Sequence, residues 1–164
     1  FNIALSVLGM LFVIVGALSV GVAVQKNCYL AGGILMLVSA ALERQVFFVV
    51  LQSIISIGAL AAFLPIAPIF KAAIPLCLGL IAIVCFARQK MLQDWLAVLG
   101  CVGIILIAAG YSITHPVAYF LGAIVLTIYS FAAYKRGVAI GLLWGILNVI
   151  FAITSGIAVY RLFT

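Results

Sequence analysis

The run LSVLG at residues 5–9 returns as LAVLG at residues 96–100, 91 positions later in the chain. The run AALERQV at residues 40–46 returns as AAYKRGV at residues 132–138, 92 positions later. Two nearly equal offsets, far apart in the chain, indicate a duplicated unit with a spacer between its two copies. In an apolar chain such a duplication favours a transporter, because many transporters consist of repeated helical units around a central site.

The composition is that of an integral membrane protein. Hydrophobic residues make up 70% of the 164 residues and charged residues only 6%, which is too few to cover the surface of a soluble domain. The apolar runs are continuous, whereas the strands of a membrane barrel alternate apolar and polar residues. The sequence therefore predicts an all-α integral membrane protein with one membrane domain.

The charges and cysteines exclude several other classes. The net charge of +6 comes from basic residues scattered singly and in pairs, which is typical of topology-setting loop charges and not of a nucleic-acid interface. The four cysteines (Cys28, Cys77, Cys85 and Cys101) have no CxxC spacing, and the chain has one histidine and two acidic residues. We therefore expect no metal site, no cofactor and no thiol-redox function.

Polar residues divide the chain into seven apolar segments. These predicted spans are 2–24, 28–42, 46–64, 70–87, 93–113, 116–134 and 138–161. Because Gln25, Lys26 and Asn27 are polar, the second span is expected to begin after them and to be short, at about 15 residues against the roughly 20 that cross a bilayer.

The loop charges suggest an orientation. Five basic residues fall at one set of turns (Arg44, Arg88, Lys90, Lys135 and Arg136) and three at the other (Lys26, Lys71 and Arg161). The positive-inside rule then predicts a cytoplasmic N-terminus.

Seven spans make the duplication interpretable as a 3+1+3 arrangement. Residues 2–64 form the first repeat, 70–87 a spacer helix and 93–161 the second repeat. Because three helices are an odd number, the spacer is needed to bring the second copy back in the same orientation. The prediction is two parallel three-helix repeats, related by an axis along the membrane normal.

This arrangement resembles the SWEET and PnuC-like small transporters (the PQ-loop, MtN3-type superfamily), and is similar to the YgjV-type bacterial inner-membrane proteins. The resemblance covers the whole chain and depends on the repeat and the span count. It implies a plasma-membrane location in a bacterium and a solute site between the two triplets, near mid-membrane. The chain lacks the mid-helix prolines of SWEETs, since Pro116 begins a helix, and of the tryptophan-rich PnuC site only Trp144 is present.

Two polar pairs in the middle of spans are the candidate substrate-binding residues. Gln52 and Ser56 lie four residues apart on the third span, and Trp144 and Asn148 lie four apart on the seventh. The 92-residue offset makes Gln52 equivalent to Trp144 and Ser56 equivalent to Asn148. Amide, hydroxyl and indole groups suit a neutral polar solute, and Tyr129 is a lesser candidate. The alternative is that these side chains join helices through interhelical hydrogen bonds.

The acidic residues bear on the function. Glu43 and Asp94 lie at span boundaries, and proton-coupled carriers usually need a carboxylate or histidine within the membrane. The sequence thus favours a facilitator of a small neutral solute such as a sugar, nucleoside or vitamin. A non-transporting accessory or scaffold subunit is the alternative, and both homo-oligomers and a membrane partner protein stay open. No catalytic set of Ser, His and acid is present, so no enzyme is expected.

Overall fold

The structure, a computed structural model, describes residues 2–19, 21–44, 46–90, 92, 94–137 and 140–164. Seven α-helices and no strand occur within these ranges. The helices are α1 (Asn2–Leu18), α2 (Val22–Leu42), α3 (Val46–Ala61), α4 (Pro68–Arg88), α5 (Trp95–Ile113), α6 (Pro116–Lys135) and α7 (Ile140–Tyr160). The first residues of the predicted fifth and seventh spans, 93 and 138–139, lie outside the described residues.

The predicted break between the first two spans is wrong. Gln25, Lys26 and Asn27 lie inside α2, and α1 ends earlier, at Leu18. Two of these polar residues find partners from the first turns of α2. The Gln25 amide donates a hydrogen bond to the Ser19 carbonyl at 3.1 Å, and the Lys26 ammonium lies 5.9 Å from the centre of a phenylalanine ring. The second helix consequently has 21 residues and is not short.

Four helices, α2, α4, α5 and α6, are long and apolar enough to cross a membrane. The apolar helices α1 and α3 are shorter, at 17 and 16 residues, as is the stretch of α7 from Trp144 to Tyr160. Large apolar side chains are exposed along every helix, which fits a surface that contacts lipid. The chain is therefore a helical membrane protein.

Short connections make consecutive helices antiparallel, so that all loops lie at two ends of the bundle. We call the end that carries Arg44, Arg88, Lys90, Lys135 and Arg136 the basic end. The opposite end, which carries the α1–α2, α3–α4 and α5–α6 connections, is the tyrosine end, after a buried cluster described below. Asp94 is the N-cap of α5 at the basic end, where its carboxylate accepts a hydrogen bond from the Leu96 amide at 3.1 Å.

Six helices form a closed ring. Helix α1 packs on α2, α2 on α3, α3 on α5, α5 on α6, α6 on α7, and α7 on α1. Helix α4 packs outside this ring, against α3 and α5.

Glycines allow the close approaches within the ring. A Cβ added to Gly58 would lie 2.5 Å from the Ala108 carbonyl oxygen, and one added to Gly141 would lie 2.7 Å from the Ser130 carbonyl oxygen. The GxxxG at Gly141 and Gly145 therefore serves helix packing.

Candidate functional site

A cavity of about 260 Å³ opens into the ring from the basic end. We call it the vestibule. It is formed by the start of α1, the last turns of α2 and α6, and the first turns of α3 and α7. Its lining residues are Ser6, Ser39, Ala40, Glu43, Phe48, Tyr129, Ser130, Ala133, Gly141 and Trp144.

A second, much smaller cavity of about 20 Å³ lies deeper in the ring, and Trp144 lines both cavities. This deep cavity has room for about one water molecule. Two amide side chains, Gln52 and Asn148, line it, and each is only 1% exposed. The rest of its wall is apolar or aromatic: Met10, Val13, Met36, Ile55, Ile104, Ile107, Tyr111, Leu126 and Phe151.

Three tyrosines close the ring beyond the deep cavity, at the tyrosine end. The rings of Tyr29 and Tyr111 stack with centroids 4.2 Å apart and planes 3° apart. Tyr119 packs edge-on against both, at 5.3 and 5.4 Å. All three are at most 2% exposed. The interior is therefore open towards the basic end and closed towards the other.

The hydrogen bonds of the polar pairs do not join helices. The Ser56 hydroxyl donates to the Gln52 carbonyl at 2.9 Å, and the Asn148 amide donates to the Trp144 carbonyl at 2.8 Å, each within its own helix. Within the described residues, the buried Gln52 Oε1 and Trp144 Nε1 atoms have no hydrogen-bond partner. An unpaired acceptor and an unpaired donor thus lie beside the deep cavity, where a bound molecule or a water can satisfy them.

A different pair of polar residues does join two helices. The hydroxyls of Ser6 on α1 and Ser39 on α2 lie 2.8 Å apart, and both side chains are buried. Interhelical hydrogen bonds of this kind contribute about 0.6–1.7 kcal/mol in membrane proteins. This hydrogen bond links α1 to α2 at the side of the vestibule.

Four of the five residues predicted from the sequence lie along this interior. Tyr129 and Trp144 line the vestibule, while Gln52, Asn148 and Trp144 line the deep cavity. Ser56 lines neither of these cavities. It lies at the contact of α3 with α2, where a Cβ added to Gly33 would be 3.1 Å from the Ser56 hydroxyl.

Sequence reasoning did not single out several vestibule residues. Glu43 was placed at a span boundary, and the structure adds that its half-buried side chain lines the vestibule. Phe48 packs against Trp144 with centroids 5.7 Å apart, and a phenylalanine in an apolar run carries no distinguishing signal. Ser6 and Ser39 could have been found, because serines within apolar helices need a partner.

A third, more open groove of about 380 Å³ lies on the other side of Tyr129. Asp94 and Arg136 line it and form an ion pair that ties the start of α5 to the end of α6. Both side chains are 40–49% exposed, so the pair contributes little to stability. Over the described residues, no three metal-ligating side chains come together.

No protein-family model, no curated protein and no solved structure matches this chain.

Proposed function

We propose that the protein is a facilitator of a small polar solute, built as two parallel three-helix repeats with α4 as the spacer. The observation that carries the proposal is the interior path: a vestibule open at one end, an unpaired amide and indole below it, and a buried tyrosine cluster that closes the other end. A carrier that works by alternating access is expected to have one end closed in any single state.

The helix contacts support the repeat. If α1, α2 and α3 are exchanged with α5, α6 and α7, each contact around the ring maps onto another contact of the ring. The α3–α5 contact maps onto α7–α1, and α4 is left over on the outside. This is the pattern of two triplets related by a twofold axis through the middle of the ring.

The deep cavity takes its lining from equivalent helices of the two proposed repeats. Helix α1 contributes Met10 and Val13 where α5 contributes Ile104 and Ile107, α2 contributes Met36 where α6 contributes Leu126, and α3 contributes Gln52 and Ile55 where α7 contributes Asn148 and Phe151. The two amides of this cavity therefore come from the third helix of each repeat. A site on the axis lies between the two triplets. A rocking motion of one repeat against the other would therefore expose such a site to each end of the bundle in turn.

The acidic residues support facilitation without proton coupling. Glu43 and Asp94 are the only two acids of the chain, and both lie at the basic end. By the positive-inside rule this end is cytoplasmic, so the vestibule would open to the cytoplasm, with the N-terminus on the same side. SWEET- and PnuC-like membership, and a bacterial inner-membrane location, belong to the same proposal.

Counterflow in proteoliposomes tests this function. Purified protein is reconstituted and assayed with labelled D-glucose, uridine and thiamine. We expect counterflow of at least one solute, and expect Trp144→Ala or Asn148→Ala to abolish it without unfolding the protein. Thr154→Ala is the matched control for Asn148→Ala, because the Thr154 hydroxyl also bonds within α7, to the Phe151 carbonyl at 3.0 Å, but lines neither cavity.

An accessory or scaffold subunit is the competing function. It predicts stoichiometric co-purification with another membrane protein. Normal counterflow in both the Trp144→Ala and the Asn148→Ala variant would contradict the assignment of the site.

A further inference from the structure

We propose that the solute which enters the vestibule is a small organic cation, an alkylammonium compound held by Glu43 and an aromatic wall of Phe48, Tyr129 and Trp144. This inference deepens the proposed function and rests on it, because it names the chemical class of the solute. It replaces the neutral solute that the sequence favours.

The first observation is the charge of the lining. Glu43 is the only charged side chain among the vestibule residues, and it is half-buried. The single ion pair found among the described residues joins Asp94 and Arg136, so Glu43 has no basic partner within those parts of the chain. A carboxylate that faces a cavity with no protein counter-ion attracts a cationic ligand more strongly than it would in bulk water.

The second observation is the aromatic wall. The centroid of the Phe48 ring lies 5.7 Å from that of Trp144 and 6.5 Å from that of Tyr129. The three rings come from three helices and border the same cavity. Quaternary ammonium groups bind over aromatic faces, and tryptophan is the most effective of these rings. The carboxylate of Glu43 and the three aromatic rings therefore complement a ligand that has a positively charged head covered by methyl or methylene groups.

The third observation is the size and surroundings of the vestibule. Its volume of about 260 Å³ lies just below the range of about 300–1,000 Å³ for pockets that hold drug-sized ligands, which limits the ligand to a small molecule. Arg44 and Lys135 lie at the same end of the bundle but are exposed, so salt screens them more than it screens Glu43. The opening is at the aqueous basic end, which favours a water-soluble cation over a lipid headgroup.

The probe is choline, compared with 3,3-dimethyl-1-butanol, its uncharged counterpart of the same shape. Binding is measured by Trp144 fluorescence in maltoside micelles. The chain has two tryptophans, and Trp95→Phe removes the exposed one. We expect choline to bind about tenfold more tightly than the alcohol, and Glu43→Gln to remove most of that difference. Tyr129→Leu should weaken choline binding several-fold, while Tyr129→Phe, which keeps the ring, should not.

Equal affinity for choline and the alcohol would overturn the inference, even if every variant failed to fold. Unchanged choline binding in a folded Glu43→Gln protein would also overturn the inference. If diheptanoyl phosphatidylcholine displaced choline at equal concentration, the ligand would be a lipid headgroup and the assignment to a free solute would be wrong. Counterflow of D-glucose without choline binding would refute the cation and leave the facilitator. Glu43-dependent choline binding without counterflow of choline, D-glucose, uridine or thiamine would support the cation site and refute the facilitator.

Discussion

Replacing Gln52 by leucine separates the two interpretations of the buried polar residues. Gln52 is 1% exposed, its Oε1 atom has no partner among the described residues, and its side chain faces the deep cavity. A buried polar atom without a partner costs about 1–3 kcal/mol, and leucine has a similar volume and no polar atom. Because a water in the deep cavity would already satisfy this atom in part, we expect Gln52→Leu to leave the free energy of unfolding unchanged or to raise it by up to about 3 kcal/mol. The same substitution should reduce solute counterflow, because it removes the acceptor beside the indole.

Ser6→Ala is the matched control with the opposite expected sign. It removes the hydroxyl that lies 2.8 Å from Ser39 on the neighbouring helix and should cost about 0.6–1.7 kcal/mol. Both variants are compared with the unmodified protein by titration with sodium dodecyl sulfate and by thermal unfolding in micelles. For a chain of this size, about 1 kcal/mol corresponds to a change in Tm of about 2–4 °C. A Gln52→Leu protein that loses as much stability as Ser6→Ala would refute the reasoning, and Gln52 would then join helices.

Three further outcomes follow from the packing. Gly58→Ala should lower the free energy of unfolding by about 1–3 kcal/mol in the same titration, because its Cβ would lie 2.5 Å from a backbone oxygen of α5. Gly21→Ala, with its nearest neighbouring atom at 3.6 Å, should change it far less, and equal losses would contradict the close α3–α5 contact. Tyr111→Ala should open the tyrosine end and raise passive leakage of glycerol into proteoliposomes, whereas an unchanged leak would mean that the cluster is no barrier. Asp94→Asn should change the free energy of unfolding by less than about 1 kcal/mol, because asparagine keeps the helix cap and the ion pair with Arg136 that is lost is exposed. A larger loss in thermal unfolding would show that this pair holds α5 to α6.

The sequence predicted the number of helices well, because polar loop residues interrupt apolar runs at most of the turns. The helix start at Pro116 matches the predicted span and follows from the tolerance for proline in a first turn, whereas α4 begins at Pro68, two residues before the predicted span. The α1–α2 boundary was wrong because long polar side chains near a membrane surface bend back to partners. Gln25 and Lys26 do this within α2, so their polarity does not mark a loop.

The candidate site could be predicted only in part. Mid-span polarity identified Gln52 and Asn148, which line the same cavity. The 92-residue offset pairs Gln52 with Trp144 and Ser56 with Asn148. The deep cavity brings Gln52, Trp144 and Asn148 together but is not lined by Ser56. Glu43 could not be recognised as a vestibule residue, since only the closure of the helix ring brings the end of α2 to the same cavity as α3, α6 and α7.

A facilitator of this architecture requires that water reach the interior of the ring from the basic end. Cysteine labelling with a membrane-impermeant methanethiosulfonate tests it directly, in a background whose four native cysteines are replaced. Ala40 lines the vestibule and is 6% exposed, whereas Val38, on the same helix, is 43% exposed but lines none of the described cavities. Because methanethiosulfonates react with the thiolate, which forms in water, we predict faster labelling of Ala40→Cys than of Val38→Cys, and only when the reagent is added at the basic end. Faster labelling of Val38→Cys, or labelling of Ala40→Cys from the tyrosine end alone, would contradict the account.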